Sequence, residues 1–182
     1  SDLFAIFMER AFALLSRNGY NAQVNMQSWM FLSSYEQLRS SLLEEQTFIT
    51  MAHLGPRAFS QISGEVVQTT AWVIKNNHVE KYQPVFFRLV DGNEEEKRKA
   101  LLNRENNYSS SVQSDFKKIP GSPIAYWVEK KVINTFTNFT RFDVLSPVKQ
   151  GMATGCNDEF VRAWWEVPFD SIGYYYKSAV TF

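Results

Sequence analysis

The stretch Leu3-Phe-Ala-Ile-Phe-Met-Glu-Arg-Ala-Phe-Ala-Leu-Leu15, followed by Asn18-Gly19 and then Tyr20-Asn-Ala-Gln-Val-Asn-Met26, indicates the fold class. Apolar residues recur at helical spacing in its first part, and Gly19 suits the left-handed position just past a helix end. Its second part alternates apolar and polar residues, as strands do. A helix followed directly by a strand, without room for a hairpin, predicts one half of a βαβ unit and hence an α/β protein.

Helices and strands continue to alternate beyond this stretch. The pair Ser33-Ser34 is predicted to cap a second helix that runs to about Glu45. Apolar runs rich in β-forming residues predict strands over 47–54, 66–74 and 84–90, the last two paired across a turn at 76–78. The apolar stripe of the second helix is predicted to consist of Tyr35, Leu38, Leu42 and Leu43.

The remainder of the chain is more polar. The segment Asp91-Gly92-Asn93 is predicted to cap a charged helix over 94–99, whose default interpretation is a solvated face. Residues 108–114 suggest a linker or mobile loop, because the stretch is polar and rich in serine. A helix is predicted from Ile124 to about Phe136, and a short one over 158–166.

Composition excludes several classes of function. Nineteen basic residues balance nineteen acidic ones, so no global basic field favours nucleic acid. This argues against small DNA-coating proteins but not against part of a larger enzyme. The single cysteine, Cys156, cannot form an intramolecular disulfide, and two histidines make a zinc site unexpected. No apolar run reaches the roughly 18 residues of a membrane helix.

Familiar catalytic motifs are absent from the sequence. It contains no nucleophile elbow, phosphate-cradling glycine loop, Gly-x-Gly-x-x-Gly or His-Glu-x-x-His. Neighbouring carboxylates, such as those of residues 94–96 and 158–159, lie among basic residues or at helix starts, so a solvated face is favoured over acid–base catalysis. Three segments are more informative: the helix and strand of residues 3–26, the glycine-bounded loop of residues 55–71, and the segment Gly151-Met-Ala-Thr-Gly-Cys-Asn-Asp-Glu-Phe-Val-Arg-Ala-Trp164.

Together these segments resemble the γ-class N6-adenine DNA methyltransferases. In detail they are similar to the large adenine-specific methyltransferases of BREX phage-defence systems and their type II restriction–modification relatives. The run Met26-Gln-Ser-Trp-Met-Phe-Leu-Ser-Ser-Tyr-Glu-Gln-Leu-Arg39, the segment Ala52-His-Leu-Gly-Pro-Arg-Ala-Phe59 and the segment Ile119-Pro-Gly-Ser-Pro-Ile-Ala-Tyr-Trp127 carry the same resemblance. It spans most of residues 1–167.

The resemblance implies a fold and an activity. Residues 1–106 would be the C-terminal half of a Rossmann-like catalytic domain, and residues 107–182 would be linker helices and the start of a target-recognition region. The parent enzyme would transfer methyl from S-adenosylmethionine to adenine N6 in double-stranded DNA, by base flipping and without a metal. Implied partners are DNA and other subunits of a restriction or defence system, with no membrane, in the bacterial cytoplasm.

Two motifs of the family are missing. Neither the glycine-rich cofactor motif Asp-Pro-x-x-Gly-x-Gly nor the catalytic Asn-Pro-Pro-Tyr occurs, and in the family both precede the helix that resembles residues 3–15. The chain is therefore expected to hold no catalytic residue and to be inactive alone. Half a doubly wound sheet also leaves an apolar edge at residues 20–26, so the isolated chain is expected to self-associate.

The resemblance assigns roles to several side chains. Phe59 stands where the family has an aromatic that packs on the flipped base, although it could instead anchor its loop in the core. Phe7 aligns with an aromatic beside the methyl donor's adenine, a position where a core role is the alternative. Arg57 could hold a phosphate or be an ordinary surface arginine. Gln27 and Ser28 end a strand at its carboxyl edge, where open α/β sheets place ligands, so they could shape the pocket.

The segment from Gly151 to Arg162 resembles the opening motif of the recognition region. Its glycines would let the backbone approach a phosphate closely, and its polar side chains would donate hydrogen bonds. A tight turn that caps the helix after residue 157 explains the same residues. The candidates for DNA contact here are Gly151, Thr154, Gly155, Asn157 and Arg162.

Two other classes of function remain open from the sequence. The chain could be a non-catalytic module for DNA docking or subunit contact, which an exposed patch at Trp164 and Trp165 would favour. It could also be an unrelated α/β enzyme, which the absence of every usual catalytic constellation disfavours. The orientation of Phe59 toward an open cleft or under a helix separates these hypotheses.

Overall fold

The computed structural model describes residues 2–60, 67–146, 161 and 164–171. It divides the chain into two compact units, Ser1–Phe139 and Thr140–Phe182. The first unit contains the sheet and almost all of the elements predicted from the sequence. Within the described ranges, no helix combines the length and apolar character required to cross a bilayer.

The first helix confirms the sequence prediction. Helix α1 spans Leu3–Leu14 and buries Ala5, Met8 and Phe12. The prediction that Gly19 takes the left-handed position after it is wrong: Asn18 has the positive φ, at 70°. Asparagine tolerates this region because its short polar side chain can form local hydrogen bonds.

A five-stranded mixed sheet lies at the centre of the first unit. Its strands are β1 (Tyr20–Met26), β2 (Thr47–Gly55), β3 (Thr69–Lys75), β4 (Val85–Arg88) and β5 (Asn107–Tyr108), in the order β1-β3-β2-β4-β5. Strand β3 runs antiparallel to both β1 and β2, β4 is parallel to β2, and β5 is antiparallel to β4. Strands β1, β2 and β4 therefore share one direction, and their carboxyl ends lie at one edge.

The sheet confirms a mixed α/β class and corrects one pairing. We expected the strand over 84–90 to pair with its predecessor across residues 76–78. Instead β4 pairs with β2, because both edges of β3 are already occupied by β1 and β2. The more specific prediction of half a Rossmann-like sheet remains a prediction.

The helices that flank the sheet follow the predicted pattern, with differences at their ends. Helix α2 (Glu36–Glu45) follows two 3₁₀ turns, Gln27–Met30 and Ser33–Tyr35, and no side chain caps it. The serine pair therefore forms a turn rather than the predicted cap. Helix α3 (Glu94–Leu102) begins with a capping box between Asn93 and Glu96. All four residues of the predicted stripe on α2 are buried: Tyr35, Leu38, Leu42 and Leu43.

The segment after β5 belongs to the core of the first unit. The predicted linker over 108–114 instead contains buried Ser111 and Gln113 and leads into helix α4 (Gln113–Phe116). The predicted helix from Ile124 begins only at α5 (Lys130–Asn138), because Ile124 and Tyr126 insert into the core without helical structure. The division between compact units follows Phe139, and the predicted functional boundary at residue 106 stays a prediction.

The second unit is described in part. It contains helix α6 (Phe142–Leu145) and two 3₁₀ turns, Trp164–Glu166 and Phe169–Ser171. The end of the helix predicted over 158–166 is thus a 3₁₀ turn, and its start lies outside the described residues. Trp165 is 71% exposed.

A buried guanidinium joins the two 3₁₀ turns to a distant loop. Arg39 is 1% exposed, and its Nη1 donates to the carbonyl oxygens of Trp29 (2.9 Å) and Leu32 (2.6 Å). Its Nε and Nη2 both donate to the carbonyl oxygen of Gly121, at 3.0 and 2.6 Å. Burial lowers the pKa of Arg39. The guanidinium therefore supplies hydrogen-bond donors to three backbone carbonyls in three separate turns, in place of water.

We expect Arg39→Met to lower the free energy of unfolding by about 3 kcal/mol, because three carbonyl groups lose charged donors. Urea unfolding at matched protein concentration measures this change. The exposed Arg17 provides the matched control, and Arg17→Met should change the free energy of unfolding by less than about 0.5 kcal/mol. Equal effects of the two substitutions would contradict this role of Arg39.

One face of the sheet is packed and the other is open. The packed face carries Phe48, Met51, Ile74 and Phe86, all at most 1% exposed. Strand β1 has an inverted pattern: its polar residues Asn21, Gln23 and Asn25 face the packed side, and its apolar alternates face the open side. The Oδ1 of Asn25 accepts hydrogen bonds from the indoles of Trp29 and Trp72, each at 3.1 Å. On the open side of β1, Tyr20 is 59%, Val24 57% and Met26 42% exposed.

We expect the isolated chain to self-associate through this open face and the unpaired edge of β1, because the apolar side chains there gain from leaving water. Sedimentation velocity should show dimers or larger species. Val24→Lys should shift the distribution toward monomer, whereas Val132→Lys, at a 44% exposed position on α5, should not. A monodisperse monomer with a cooperative melt would contradict this expectation.

Candidate functional site

Polar and aromatic side chains gather at the carboxyl edge of the sheet, which we define as the edge where β1, β2 and β4 end. Strand β1 ends at Met26 and is followed by Gln27, β2 ends at Gly55, and β4 ends at Arg88. Because β3 is antiparallel to its neighbours, it begins at the same edge, next to Gln68. Open α/β sheets bind ligands outside the carboxyl ends of their strands.

A hydrogen-bonded chain centred on His53 organises this edge. The Nε2 of His53 lies 2.6 Å from the Oε1 of Gln27, and its Nδ1 lies 3.0 Å from the hydroxyl of Tyr126. The amide of Gln27 in turn donates to the Oε1 of Gln68. This pattern fits a neutral imidazole that donates from Nε2 and accepts at Nδ1.

The electrostatics keep His53 neutral. It is 5% exposed, and burial, aided by the positive charges of Arg88 and Lys97, lowers its pKa to about 4. Burial also raises the pKa of Tyr126, so its hydroxyl keeps the proton that it donates. The hydrogen bonds of His53 therefore orient Gln27 without placing a charge at the carboxyl edge.

Two predicted pocket residues, Gln27 and Ser28, have partners inside the protein. Gln27 is held between His53 and Gln68, as described above. Ser28 lies in the 3₁₀ turn after β1, and its carbonyl accepts from the backbone N–H groups of Phe31 (3.2 Å) and Leu32 (3.0 Å). Both residues are half-buried at the carboxyl edge, so they can form its wall.

The loop after β2 places Arg57 and Phe59 at the same edge. Arg57 is exposed and has a positive φ of 56°. Phe59 is 40% exposed, so its ring is not enclosed in the core. Gly55 also has a positive φ, 62°, and a Cβ there would come within 3.1 Å of Val90. The loop thus leaves the sheet in a conformation that favours glycine.

Phe7 lies on α1 rather than at the carboxyl edge itself. It is 60% exposed, whereas the core of α1 consists of Ala5, Met8 and Phe12. The side chain of Gln23 in β1 donates to the carbonyl of Phe7 at 3.5 Å. Since α1 runs antiparallel to β1, its N-terminal turns point toward the carboxyl edge.

The remaining candidates lie outside the described residues. They are Gly151, Thr154, Gly155, Asn157 and Arg162. The structure thus brings Gln27, Ser28, Arg57 and Phe59 to one edge, with Phe7 on the adjacent helix.

Sequence reasoning missed several residues of this edge. His53 and Tyr126 lie within segments that carried the family resemblance, but no local pattern paired them. Arg88, whose guanidinium carbon lies 6.0 Å from the ring centroid of Trp127, closes the site on the β4 side. Lys97 was assigned to a solvated helix and is instead 4% exposed. One signal in the sequence could have pointed to this group of residues: β2 contains a histidine among apolar residues and threonines.

The donor set does not suggest a metal. Among the described residues, no group of three or more His, Cys, Asp or Glu side chains could hold a metal ion. For S-adenosylmethionine, the described residues offer the exposed ring of Phe7 on α1, while the glycine-rich motif is missing from the sequence. These residues fit one wall of such a site rather than a whole site.

Comparison with known proteins identifies relatives of the whole chain. Residues 1–59 match the family described as Eco57I restriction-modification methylase. The adenine-specific methyltransferase BrxX of Escherichia coli O9:H4 (strain HS) is 62% identical over 176 residues, which cover 95% of this chain and 14% of that protein. The adenine-specific methyltransferase PglX of Lacticaseibacillus casei (strain Zhang) is 42% identical over 182 residues, or 96% of this chain and 15% of that protein.

The chain thus spans about one seventh of the length of these relatives. Among solved structures, the M protein of the type I restriction enzyme EcoKI gives a TM-score of 0.41 at 14% identity. That similarity covers 53% of this chain and 24% of that one, and is too low to establish a common topology.

The neutral state of His53 predicts a pH dependence of stability. Below the ordinary pKa of 6.5 the unfolded chain binds a proton at His53, but the folded chain does so only near pH 4. The free energy of unfolding should therefore fall as the pH is lowered through this window, by up to about 3 kcal/mol from this residue. His53→Gln cannot titrate and should lose that component. Urea unfolding at pH 7, 5.5 and 4.5 measures it, and parallel pH profiles of the two proteins would refute the assignment.

Proposed function

Because this chain is a homologue of a segment of the BrxX and PglX adenine-specific methyltransferases, we propose that it is part of an adenine-specific DNA methyltransferase of the restriction-modification or phage-defence type. One observation carries the proposal: 62% identity to BrxX over 95% of the chain. Chance similarity does not extend over a whole compact unit at this level. The match of residues 1–59 to a methylase family supports the same conclusion.

The carboxyl edge suits one step of this reaction. An adenine amino group cannot be reached inside the duplex, so the base must be turned out of the stack into a pocket. We assign Phe59 to the face of that base, since an exposed aromatic ring stacks on any base for roughly 1–3 kcal/mol. Arg57, exposed two residues earlier, would neutralise a neighbouring phosphate. Gln27 and Ser28 would form the pocket wall.

The cofactor would be S-adenosylmethionine, which supplies the transferred methyl group. Phe7 would border its adenine, and the rest of its site would come from sequence that this chain lacks. No catalytic residue is assigned here, so the chain alone should not methylate DNA. Its contribution is orientation of the base, because holding reactants in an attack geometry removes much of the entropic barrier.

The rest of the chain would extend toward target recognition. We place DNA contacts in the segment that holds Gly151, Thr154, Gly155, Asn157 and Arg162, on its resemblance to a recognition motif. Residues 1–106 would belong to the catalytic domain, and residues 107–182 would lead into the recognition region.

A second candidate is a non-catalytic module for DNA docking or subunit contact. Trp165 and Phe169, which are 71% and 88% exposed, favour it because large exposed aromatics are typical of interaction surfaces. In that case the chain would bind DNA or protein without any dependence on Phe59.

Calorimetric titration of the isolated chain separates these functions. We expect no binding of S-adenosylmethionine, and weak, salt-sensitive binding of a duplex with an abasic site opposite thymine. Tight cofactor binding would mean that another motif replaces the missing glycine-rich one. DNA binding that Phe59→Ala leaves unchanged would favour the docking module.

Substitution of Phe59 tests the pocket in the full-length enzyme. Phe59→Ala should raise the KM for DNA about tenfold or more, since base stacking is lost, and Phe59→Trp should restore it. The assay is transfer of labelled methyl to genomic DNA from a strain without adenine methylation. The control is Phe136→Ala, at a 46% exposed position on α5. An unchanged KM in Phe59→Ala would remove Phe59 from the pocket.

A further inference from the structure

Two side chains of α3 hold residues 55–60, the first part of the connection from β2 to β3. Lys97 contacts this segment at Pro56 and Glu94 contacts it at Ser60, so Arg57 and Phe59 lie between the two contacts. Sequence reasoning placed both residues on a solvated helix face. Their contacts give α3 a role at the carboxyl edge instead.

The ammonium group of Lys97 is surrounded by backbone oxygens. Its Nζ donates to the carbonyls of Leu54, Pro56 (2.8 Å), Leu89 (2.9 Å) and Val90 (3.1 Å). An ammonium has three N–H groups, so four oxygens share them. The group lies just beyond the last β2–β4 pair, His53 and Arg88, and joins the ends of both strands to the loop.

Lys97 forms no ion pair with a carboxylate of the described residues. None of these carboxylates lies within 4.0 Å of the Lys97 nitrogen, although the side chain is almost fully buried. An ammonium buried without partners would be very costly, so the carbonyl dipoles must offset its desolvation. Burial and the charge of Arg57 lower the pKa of Lys97, although the negative charge of Asp91 partly opposes this lowering. The cation therefore ties the carbonyl of Pro56 in the loop to the carbonyls of Leu54, Leu89 and Val90 at the ends of β2 and β4.

The backbone that Lys97 holds is unusual. Gly55 and Arg57 both have positive φ, and for arginine this conformation is unfavourable by about 1 kcal/mol or more. Such a conformation persists only where the surroundings determine it. Four residues after Pro56, the backbone N–H of Ser60 donates to Glu94 Oε2 at 2.6 Å. The capping box of Asn93 and Glu96 fixes the turn from which Glu94 starts.

We propose that Lys97 and Glu94 are positioning residues that hold Phe59 and Arg57 in the orientation that receives the extrahelical adenine and its phosphate. Lys97 acts through the carbonyls of Leu54 and Pro56, where the chain leaves β2, and Glu94 acts through the amide of Ser60. This inference rests on the proposed function, since it assigns the loop to the DNA base.

Lys97→Met in the full-length enzyme tests the first contact. Methionine keeps most of the apolar stem and of the volume of the lysine side chain but removes the ammonium group. We expect deuterium exchange in peptides covering residues 55–60 to accelerate at least about tenfold, and the KM for unmethylated genomic DNA to rise about tenfold. The KM for S-adenosylmethionine should stay unchanged. Lys99→Met, at an exposed position of the same helix, is the matched control.

Glu94→Ala tests the second contact without disturbing the core. Glu94 is exposed, so loss of the whole fold is not expected. The rate of deuterium exchange in peptides covering residues 55–60 and the KM for DNA should each rise about threefold, because the amide of Ser60 loses its charged acceptor. Glu95→Ala is the control, since that carboxylate forms only an exposed ion pair with Arg98 at 3.5 Å.

The outcomes separate this inference from the proposed function. If the unsubstituted enzyme methylates DNA but both variants keep its KM for DNA, the positioning role is overturned and the proposed function stands. If the unsubstituted enzyme methylates no adenine, the proposed function fails and with it the assignment of the loop to a base. If deuterium exchange in residues 55–60 is unchanged in both variants, the contacts of Lys97 and Glu94 do not hold this segment, and the inference fails whatever the activity.

Discussion

The position of β3 between β1 and β2 is the constraint on which the rest of the first unit depends. It pairs along its whole length with both β1 and β2, with two register shifts on the β2 side. Because it is antiparallel to both, β1 and β2 become parallel, and the connection from β2 to β3 must leave and return at the same edge. That connection carries Arg57 and Phe59. The same arrangement leaves β2 free to pair with β4, which brings Arg88 to the edge.

Buried cations bound by backbone carbonyls are a second common feature. Arg39 joins two 3₁₀ turns to the loop at Gly121, and Lys97 joins the ends of β2 and β4 to the loop after β2. In both cases backbone carbonyl oxygens surround the buried charge, and Lys97 holds the start of the loop after β2 in this way. His53 stays neutral at the same edge, since two neighbouring positive charges and burial disfavour its protonation.

Local periodicity predicted the elements well and their partners poorly. The spacing of Leu3–Leu14 and the alternation of Tyr20–Met26 predicted α1 and β1 with almost the observed bounds. The predicted pairing of β4 with β3 was wrong. Proximity in sequence favoured a hairpin of these two strands, but only β2 had a free edge for β4. The alternation in β1 also did not reveal which face of the strand is packed. On the packed face, Asn25 accepts hydrogen bonds from two indoles, whereas Val24 lies on the open face. Residues 108–114 were too polar to suggest a core segment, yet Gln113 is buried because its amide serves α2 and β2.

The sequence by itself determined the α/β class, the helices and strands of residues 3–55, and the resemblance to adenine-specific methyltransferases that the relatives support. The fold class and the elements follow from the spacing of apolar residues, and the resemblance follows from several motifs that occur in the same order as in the family. Both can be read directly from the sequence. Only the tertiary structure decided that Lys97 is buried and that His53 meets Gln27 and Tyr126. The physical reason is that these contacts join residues far apart in sequence, and their energies depend on burial. Strand order creates that burial, and no local pattern encodes it.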